Sequence, residues 1–263
     1  MEKMLLKIEN IYYDYKENND LLPVLAEINI SVKRGEFICI IGPSGCGKST
    51  LFNILVGLEK PDKGRIFLKG EDITGTRGHI AYMPQRDLLF PWRTVMENVL
   101  LGVEIKKENL QKAYQEAEKL IPLFGLKGFE NHYPDQLSGG MRQRAALLRT
   151  VLTHNDILAL DEPFGALDAL TRTTMQEWIL SIQEKLDKTI LFITHDIEEA
   201  ILLADRIIIL NGRPGRITDK LKIDLQPPRC RTDKVFVDYR EKLLERLSAE
   251  DDFNKNTETS RRE

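Results

Sequence analysis

Residues 42–50 read GPSGCGKST and follow directly on the apolar run FICII, residues 37–41. Glycine at this density lets the backbone curl until successive N–H groups point inward, and a helix beginning at Lys48 turns its positive end toward the same point. Such a cradle suits the phosphates of a nucleotide. Lys48 can reach the outer phosphates, Ser49 can offer its hydroxyl to Mg2+, and Thr50 stands beside it near the inner phosphate. The motif needs a strand before the loop and a helix after it, and the flanking residues read that way.

Composition narrows the remaining choices. The 263 residues hold 38 Lys and Arg against 41 Asp and Glu, a formal charge of −3, so no general field favours nucleic acid or an anionic membrane. This length fits one large domain or two small ones. Apolar stretches such as 98–103 and 207–210 fall far short of the roughly 20 residues of a membrane helix. The opening MEKMLLKIEN has no apolar segment with a cleavage site, so a cytoplasmic protein is expected. Cys39, Cys46 and Cys230 are too few and too scattered for a disulfide framework or a zinc site. Cys39 reads as a core residue, whereas Cys46 lies inside the phosphate loop, where oxidation would obstruct a nucleotide.

Patterning predicts the architecture. Alternation over 5–11 and 25–32, with KENND (16–20) between, predicts an antiparallel β-layer. The turn 61–64 precedes short strands at 65–68 and 79–83. Helical spacing over 107–124 and 140–152 predicts a helix-rich insert, after which strands resume at 157–161, 190–194 and 206–210. Strands alternating with helices imply a mainly parallel sheet covered on both faces. Residues 235–248 predict an amphipathic helix packed on its own domain or serving a regulatory contact, and 250–263 a disordered polar tail.

Four further segments carry chemistry. The run ILALDE, 157–162, is a buried strand delivering two carboxylates at its C-terminal edge. Asp161 is placed to hold Mg2+ directly or through water, and Glu162, pointing elsewhere, to polarise an attacking water. His195, after the strand LFIT, could touch the outer phosphate and orient that water. Gln85, in AYMPQ, is a neutral group able to reach Mg2+ or the water. In LSGGMRQR, 137–144, Ser138 is a natural helix cap, Gly139 and Gly140 allow close backbone approach, and the helix dipole faces an arriving anion. One chain thus carries two phosphate-facing surfaces, which two copies facing head to tail around two nucleotides would both use.

Together GPSGCGKST, Gln85, LSGGMRQR, ILALDEP, GALD (165–168) and His195 resemble the ATPase subunit of an ATP-binding cassette (ABC) transporter over roughly residues 4–235. The resemblance implies a P-loop NTPase of α/β class: a mainly parallel core sheet, an N-terminal antiparallel β-subdomain and a helical subdomain inserted at approximately 86–155, followed by the helix and tail of 236–263. It implies ATP and Mg2+ as ligands. Gly42, Pro43, Ser44, Gly45, Cys46, Gly47, Lys48, Ser49 and Thr50 would cradle the phosphates, with Tyr15 stacking on adenine; Tyr12 and Tyr13 lie close enough to compete for that role. Ser49, Gln85 and Asp161 would contact the metal. Catalysis would fall to Glu162, His195, Gln85 and Lys48, and Ser138, Gly139, Gly140 and Asp168 would act across a dimer. Met141 stands where the family's usual pattern has Gln, a departure that leaves the serine and glycine contacts intact.

The stretches QRDLLFPW (85–92) and NGRPGRI (211–217) are similar to the importer branch serving nitrate, sulfonates, taurine and thiamine-precursor pyrimidines. Phe90, Pro91 and Trp92 then read either as a packed corner or as a groove for a membrane permease. The resemblance implies a peripheral subunit on the cytoplasmic face of the membrane, with an external solute-binding protein as indirect partner and no nucleic acid. The alternatives are a soluble ABC ATPase acting in assembly, repair or translation, and a nucleotide sensor without turnover. Glu162 and His195 together argue against the sensor.

Overall fold

The computed structural model describes residues 4–17 and 20–259, with the backbone alone for residue 17 and residues 248–259. The elements begin with β1 (Met4–Glu17), β2 (Asp20–Lys33), β3 (Phe37–Ile41), α1 (Lys48–Leu55), β4 (Lys63–Leu68), β5 (Glu71–Asp72) and β6 (Ala81–Met83). They continue with α2 (Val95–Ile105), α3 (Leu110–Leu120), a 3-10 turn at Pro134–Gln136, α4 (Gly139–Val151), β7 (Ile157–Asp161) and α5 (Ala169–Leu186). The chain ends in β8 (Thr189–Ile193), α6 (Ile197–Leu203), β9 (Arg206–Asn211), β10 (Arg216–Lys222) and α7 (Lys234–Thr259). Residues through His79 and from Thr189 onward form one compact unit, and Ile80–Lys188 another.

In the first unit, β1 pairs antiparallel with β2 and with β4, and β5 extends β4. Leu6, Ile8, Ile11 and Tyr13 stand opposite Val32, Ile30, Ile28 and Leu25, and all eight are buried. That is the inward face of the predicted alternation. A bulge between Ile8 and Ile11 accommodates Asn10, whose N–H donates to Asn29 Oδ1 at 3.0 Å. The second layer is built on β3, which lies parallel between β8 and β9, with β10 antiparallel on the far side of β9. Every residue of β3 and β8 is buried, as unbroken apolar runs require of strands covered on both faces.

In the second unit, β6 pairs parallel with β7, Ala81 opposite Leu158 and Met83 opposite Leu160. Helices α2, α3 and α4 bury Val95, Val99 and Val103, Ala113 and Ala117, and Ala145 to Leu148. Gly102 of α2 permits a close approach, since a Cβ there would lie 2.6 Å from Thr153 Cγ2. Thr94 and Glu97 cap α2 reciprocally, each side chain accepting from the other residue's N–H.

The apolar pattern placed β7, β8, β9, α3 and α4 within a few residues of where they lie. It missed β10, whose outward face is charged, and α2, whose apolar residues are spread too evenly for a clear period. Residues 18 and 19 of the expected KENND turn lie outside the described residues. The expected disordered tail needs correction, because α7 stays helical through Thr259. No glycine or proline occurs between 235 and 259, so no local signal stops a helix already anchored by buried Phe236 and Leu243. Residues 260–263 of that stretch lie outside the described residues.

Candidate nucleotide site

In the first unit, the loop of residues 42–47 leaves β3 and enters α1 through Gly47, which sits in the left-handed region at φ 97°. A Cβ there would come 2.7 Å from Leu25 Cδ2, and one on Gly42 would come 2.0 Å from the Leu210 carbonyl oxygen. Only glycine fits either position. Helix α1 has no side-chain cap and no acidic residue in its first turn, so its leading N–H groups and positive end serve an anion. The Lys48 ammonium bridges the Gly42 and Pro43 carbonyls at 2.8 and 2.9 Å and is itself buried. Ser49 and Thr50 occupy the same first turn. Cys46 is buried, which pushes its thiol up from its ordinary range.

The loop of residues 211–217 braces this cradle. The Arg213 guanidinium lies against Gly45, and a Cβ on Gly215 would fall 2.0 Å from the Cys46 carbonyl oxygen. Gly215 also exchanges backbone hydrogen bonds with Val24 and Ala26 of β2, at 2.8 and 3.0 Å. Sequence reading noticed this stretch only as a family likeness; the tandem Gly-Arg-Pro-Gly was the available sign of a close approach.

Among the three candidate aromatics, Tyr15 is exposed and its hydroxyl lies 3.3 Å from Thr50 Oγ1 in α1. Tyr13 is buried and donates to Glu59 at 2.9 Å, while the Lys63 ammonium stands over the Tyr12 ring at 5.7 Å. His195 is exposed just after β8 and flanked by two anchored residues. Buried Thr194 donates to Glu199 Oε2 at 2.6 Å, and Asp196 caps α6 by accepting from the N–H groups of Glu198 and Glu199. The far end of α6 is closed by Arg229, which donates to the carbonyls of Ile201, Leu202 and Ala204.

In the second unit, Asp161 is buried at the end of β7, and burial, reinforced by the nearby Asp161 charge, pushes the Tyr82 hydroxyl well above its usual range. Glu162 follows in the left-handed region at φ 48°, a conformation that costs a side-chain-bearing residue about 1–3 kcal/mol and persists only where its surroundings impose it. Gln85 Nε2 donates to Glu162 Oε2 at 3.0 Å. Gln143 of α4, absent from the candidates read in the sequence, donates to the Glu162 carbonyl and accepts from Ala166 N–H, both at 3.1 Å.

Ser138 caps α4, its Oγ accepting from Met141 N–H at 3.2 Å, and no acidic residue lies in that helix's first turn. Gly140 packs against Leu167, to which an added Cβ would come within 3.3 Å. Asp168 caps α5 through Thr171 N–H at 3.0 Å, a bond that holds its carboxyl below the usual range. The segment after Gln85 is held from two helices. Arg142 and Arg149 of α4 reach Asp87 and Leu88, and fully buried Asn98 of α2 binds Phe90 through both N–H and carbonyl. On this frame Phe90 and Trp92 stack at 5.0 Å, with Trp92 70% exposed. Trp92 borders a groove of about 860 Å³ that includes Leu100, Leu110, Tyr114, Glu97 and Glu104.

Comparison with known proteins identifies the family. The model of the ABC transporter family matches residues 25–165. The aliphatic sulfonates import ATP-binding protein SsuB of Bacillus licheniformis is 43% identical, with 88% of this chain and 89% of the relative covered. The formylaminopyrimidine import ATP-binding protein ThiZ of Halalkalibacterium halodurans is 46% identical, over 81% of this chain and 82% of the relative. Among solved structures, a dimeric ATP-binding cassette in a post-hydrolysis state with ADP and Pi is 31% identical at a TM-score of 0.76, covering 84% of this chain and 100% of its own. That likeness bears out the α/β fold of a P-loop ABC ATPase. With the family match spanning more than half of the 263 residues and relatives aligned along most of its length, the chain belongs to the ABC transporter family.

Proposed function

We propose that this chain is the ATP-hydrolysing subunit of an ABC importer, working as a head-to-tail dimer around two ATP and driving solute uptake through a separate permease. One observation carries the ATPase reading. An uncapped helix N-terminus with no acid in its first turn and a buried, pre-held lysine converge on one glycine loop, which suits a polyphosphate and little else. The α4 N-terminus, opened by Ser138, Gly139 and Gly140, is the surface offered to the nucleotide of a second copy.

The residues then divide the work. Lys48 and the loop N–H groups neutralise phosphate charge, and Tyr15 stacks on the base. Glu162, steadied by Gln85, accepts the hydrogen bond of the attacking water, and His195 contacts the outer phosphate. Asp168 carries communication across the dimer. Among the described residues no cluster of three His, Cys, Asp or Glu side chains exists, and Mg2+ needs none: Ser49, Gln85 and Asp161 supply oxygen donors to an ion that otherwise takes phosphate and water. Mg2+, when bound, offsets the charge on the phosphates.

Phe90 stacks on exposed Trp92, which stands on the edge of a groove of mixed apolar and charged lining; this corner fits a helix of the permease, and the named relatives suggest a sulfonate or a thiamine-precursor pyrimidine as cargo. No helix among the described residues is long and apolar enough to cross a membrane, consistent with a peripheral subunit on the cytoplasmic face that meets the solute-binding protein only indirectly. A soluble ABC ATPase in assembly, repair or translation finds no support among the import subunits reported above. The test is phosphate release by the purified protein. Glu162→Gln should still bind ATP and accumulate as an ATP-dependent dimer, while turnover falls about a hundred- to ten-thousand-fold. Unchanged turnover would remove Glu162 from the role assigned to it.

A further inference from the structure

The turn from Glu162 to Ala166 follows β7 and is closed internally by Gly165 N–H on the Glu162 carbonyl at 3.2 Å. Across it lies the carboxamide of Gln143, 6% exposed, with Nε2 on the Glu162 carbonyl and Oε1 on Ala166 N–H. The two partners leave no ambiguity about which end is oxygen, since a carbonyl can only accept and an N–H only donate. Glu162 is thereby held at three points: its carbonyl by Gln143 and Gly165, and its carboxylate by Gln85. A residue in the left-handed region keeps that conformation only when its surroundings over-determine it, and the direction of its carboxylate follows from its backbone.

We infer that Gln143 is a positioning residue for ATP hydrolysis: its carboxamide clamps the Glu162–Ala166 turn and so aims the Glu162 carboxylate. The inference rests on the reading of Glu162 given above. Only a side chain with one donor and one acceptor in a flat fork serves here. Glutamate keeps the acceptor for Ala166 but sets a carboxylate against the Glu162 carbonyl, and leucine offers neither contact.

Steady-state ATP hydrolysis by the full-length protein with Mg2+ tests this, using Gln143→Leu, Gln143→Glu and Glu162→Gln, and Gln143→Leu combined with Glu162→Gln. With Glu162 misaimed, kcat of both Gln143 variants should fall about ten- to a hundredfold, with KM for ATP within about twofold of wild type. Adding Gln143→Leu to Glu162→Gln should lower the residual kcat no further, because the two residues act as a unit. A merely structural role would cost the same factor in both backgrounds. That result, or kcat within about twofold of wild type for both single variants while Glu162→Gln is impaired, overturns the inference alone. Full turnover in Glu162→Gln overturns the reading of Glu162 and the inference with it. Should Gln143→Leu fail to fold, Gln143→Glu carries the same comparison in both backgrounds.

Discussion

The side-chain amide of Gln85 donates to Glu162 Oε2 at 3.0 Å, joining residues 77 positions apart that follow neighbouring parallel strands. The donor is neutral and adds no charge beside the carboxylate. Gln85→Leu removes this hydrogen bond while leaving the strand pairing that carries both residues intact, so kcat for ATP hydrolysis should fall about tenfold or more as the carboxylate loses its fixed direction. Steady-state phosphate release measures it, and turnover within about twofold of wild type would show that this bond does not aim Glu162.

The reciprocal cap at the start of α2 gives a pH-dependent share of stability. The backbone N–H and hydroxyl of Thr94 both donate to Glu97 and hold its carboxyl below the usual range. A carboxyl depressed in the folded state stabilises above its unfolded pKa of about 4.3 and loses that contribution as pH falls through the folded value. Thr94→Ala should cost about 1 kcal/mol at pH 7. Glu97→Gln, at an exposed and screened site, should cost about half a kcal/mol or less at pH 7 and nothing once the wild-type carboxyl is protonated. Thermal unfolding of both variants at pH 7 and pH 3 measures the difference.

Trp92 extends from a loop fastened by Asn98, Arg142 and Arg149, so its removal should leave the ATPase machinery in place. Trp92→Ala is expected to keep phosphate release of the isolated subunit within about twofold of wild type while lowering recovery of the permease complex about tenfold or more, as loss of a central aromatic anchor does. Co-purification with the tagged permease provides the measurement. Equal recovery would remove this corner from the interface.

Thiol chemistry should separate the cysteines. Cys46 is buried with its thiol pushed up by burial, whereas Cys230 is exposed and held below its ordinary value by its side-chain hydrogen bond with Thr232. The thiolate is the reactive form, so Cys230 should alkylate first at neutral pH. Mass spectrometry after a short pulse of iodoacetamide should find Cys46 unmodified in the native protein and labelled after denaturation.

Much of this site was legible before any fold was known, for reasons specific to each element. The loop of residues 42–50 declares itself because glycine at this density between an apolar run and a Lys-Ser-Thr stretch is a local signal, while the neighbours that exclude a side chain at Gly42 and Gly47, Leu210 and Leu25, are distant in sequence. The carboxylates after β7 were legible because an apolar run ending in charge marks the edge of a buried strand. Gln143 was not, since a glutamine between two arginines reads as ordinary helix surface until the turn beneath it is seen. Asn98 was hidden in the same way: in an apolar stretch it looks like a misplaced polar residue, yet it is fully buried with four hydrogen bonds to the loop of residues 90–94.

The amino-acid order alone determined the class of chemistry, the order of most elements along the chain and the glycine loop between β3 and α1, because those depend on neighbours within a few positions. What the folded chain decided was orientation. Glu162 enters the left-handed region, Gln85 and Gln143 grip it from distant segments, and Gly215 slides under Cys46. Such contacts join residues from 19 to well over a hundred positions apart, and hydrophobic periodicity carries no information about them. Around buried Gln143 water is removed as a competing partner and each polar group must find its match inside the protein, whereas exposed Gln85 is brought to Glu162 by the pairing of β6 with β7.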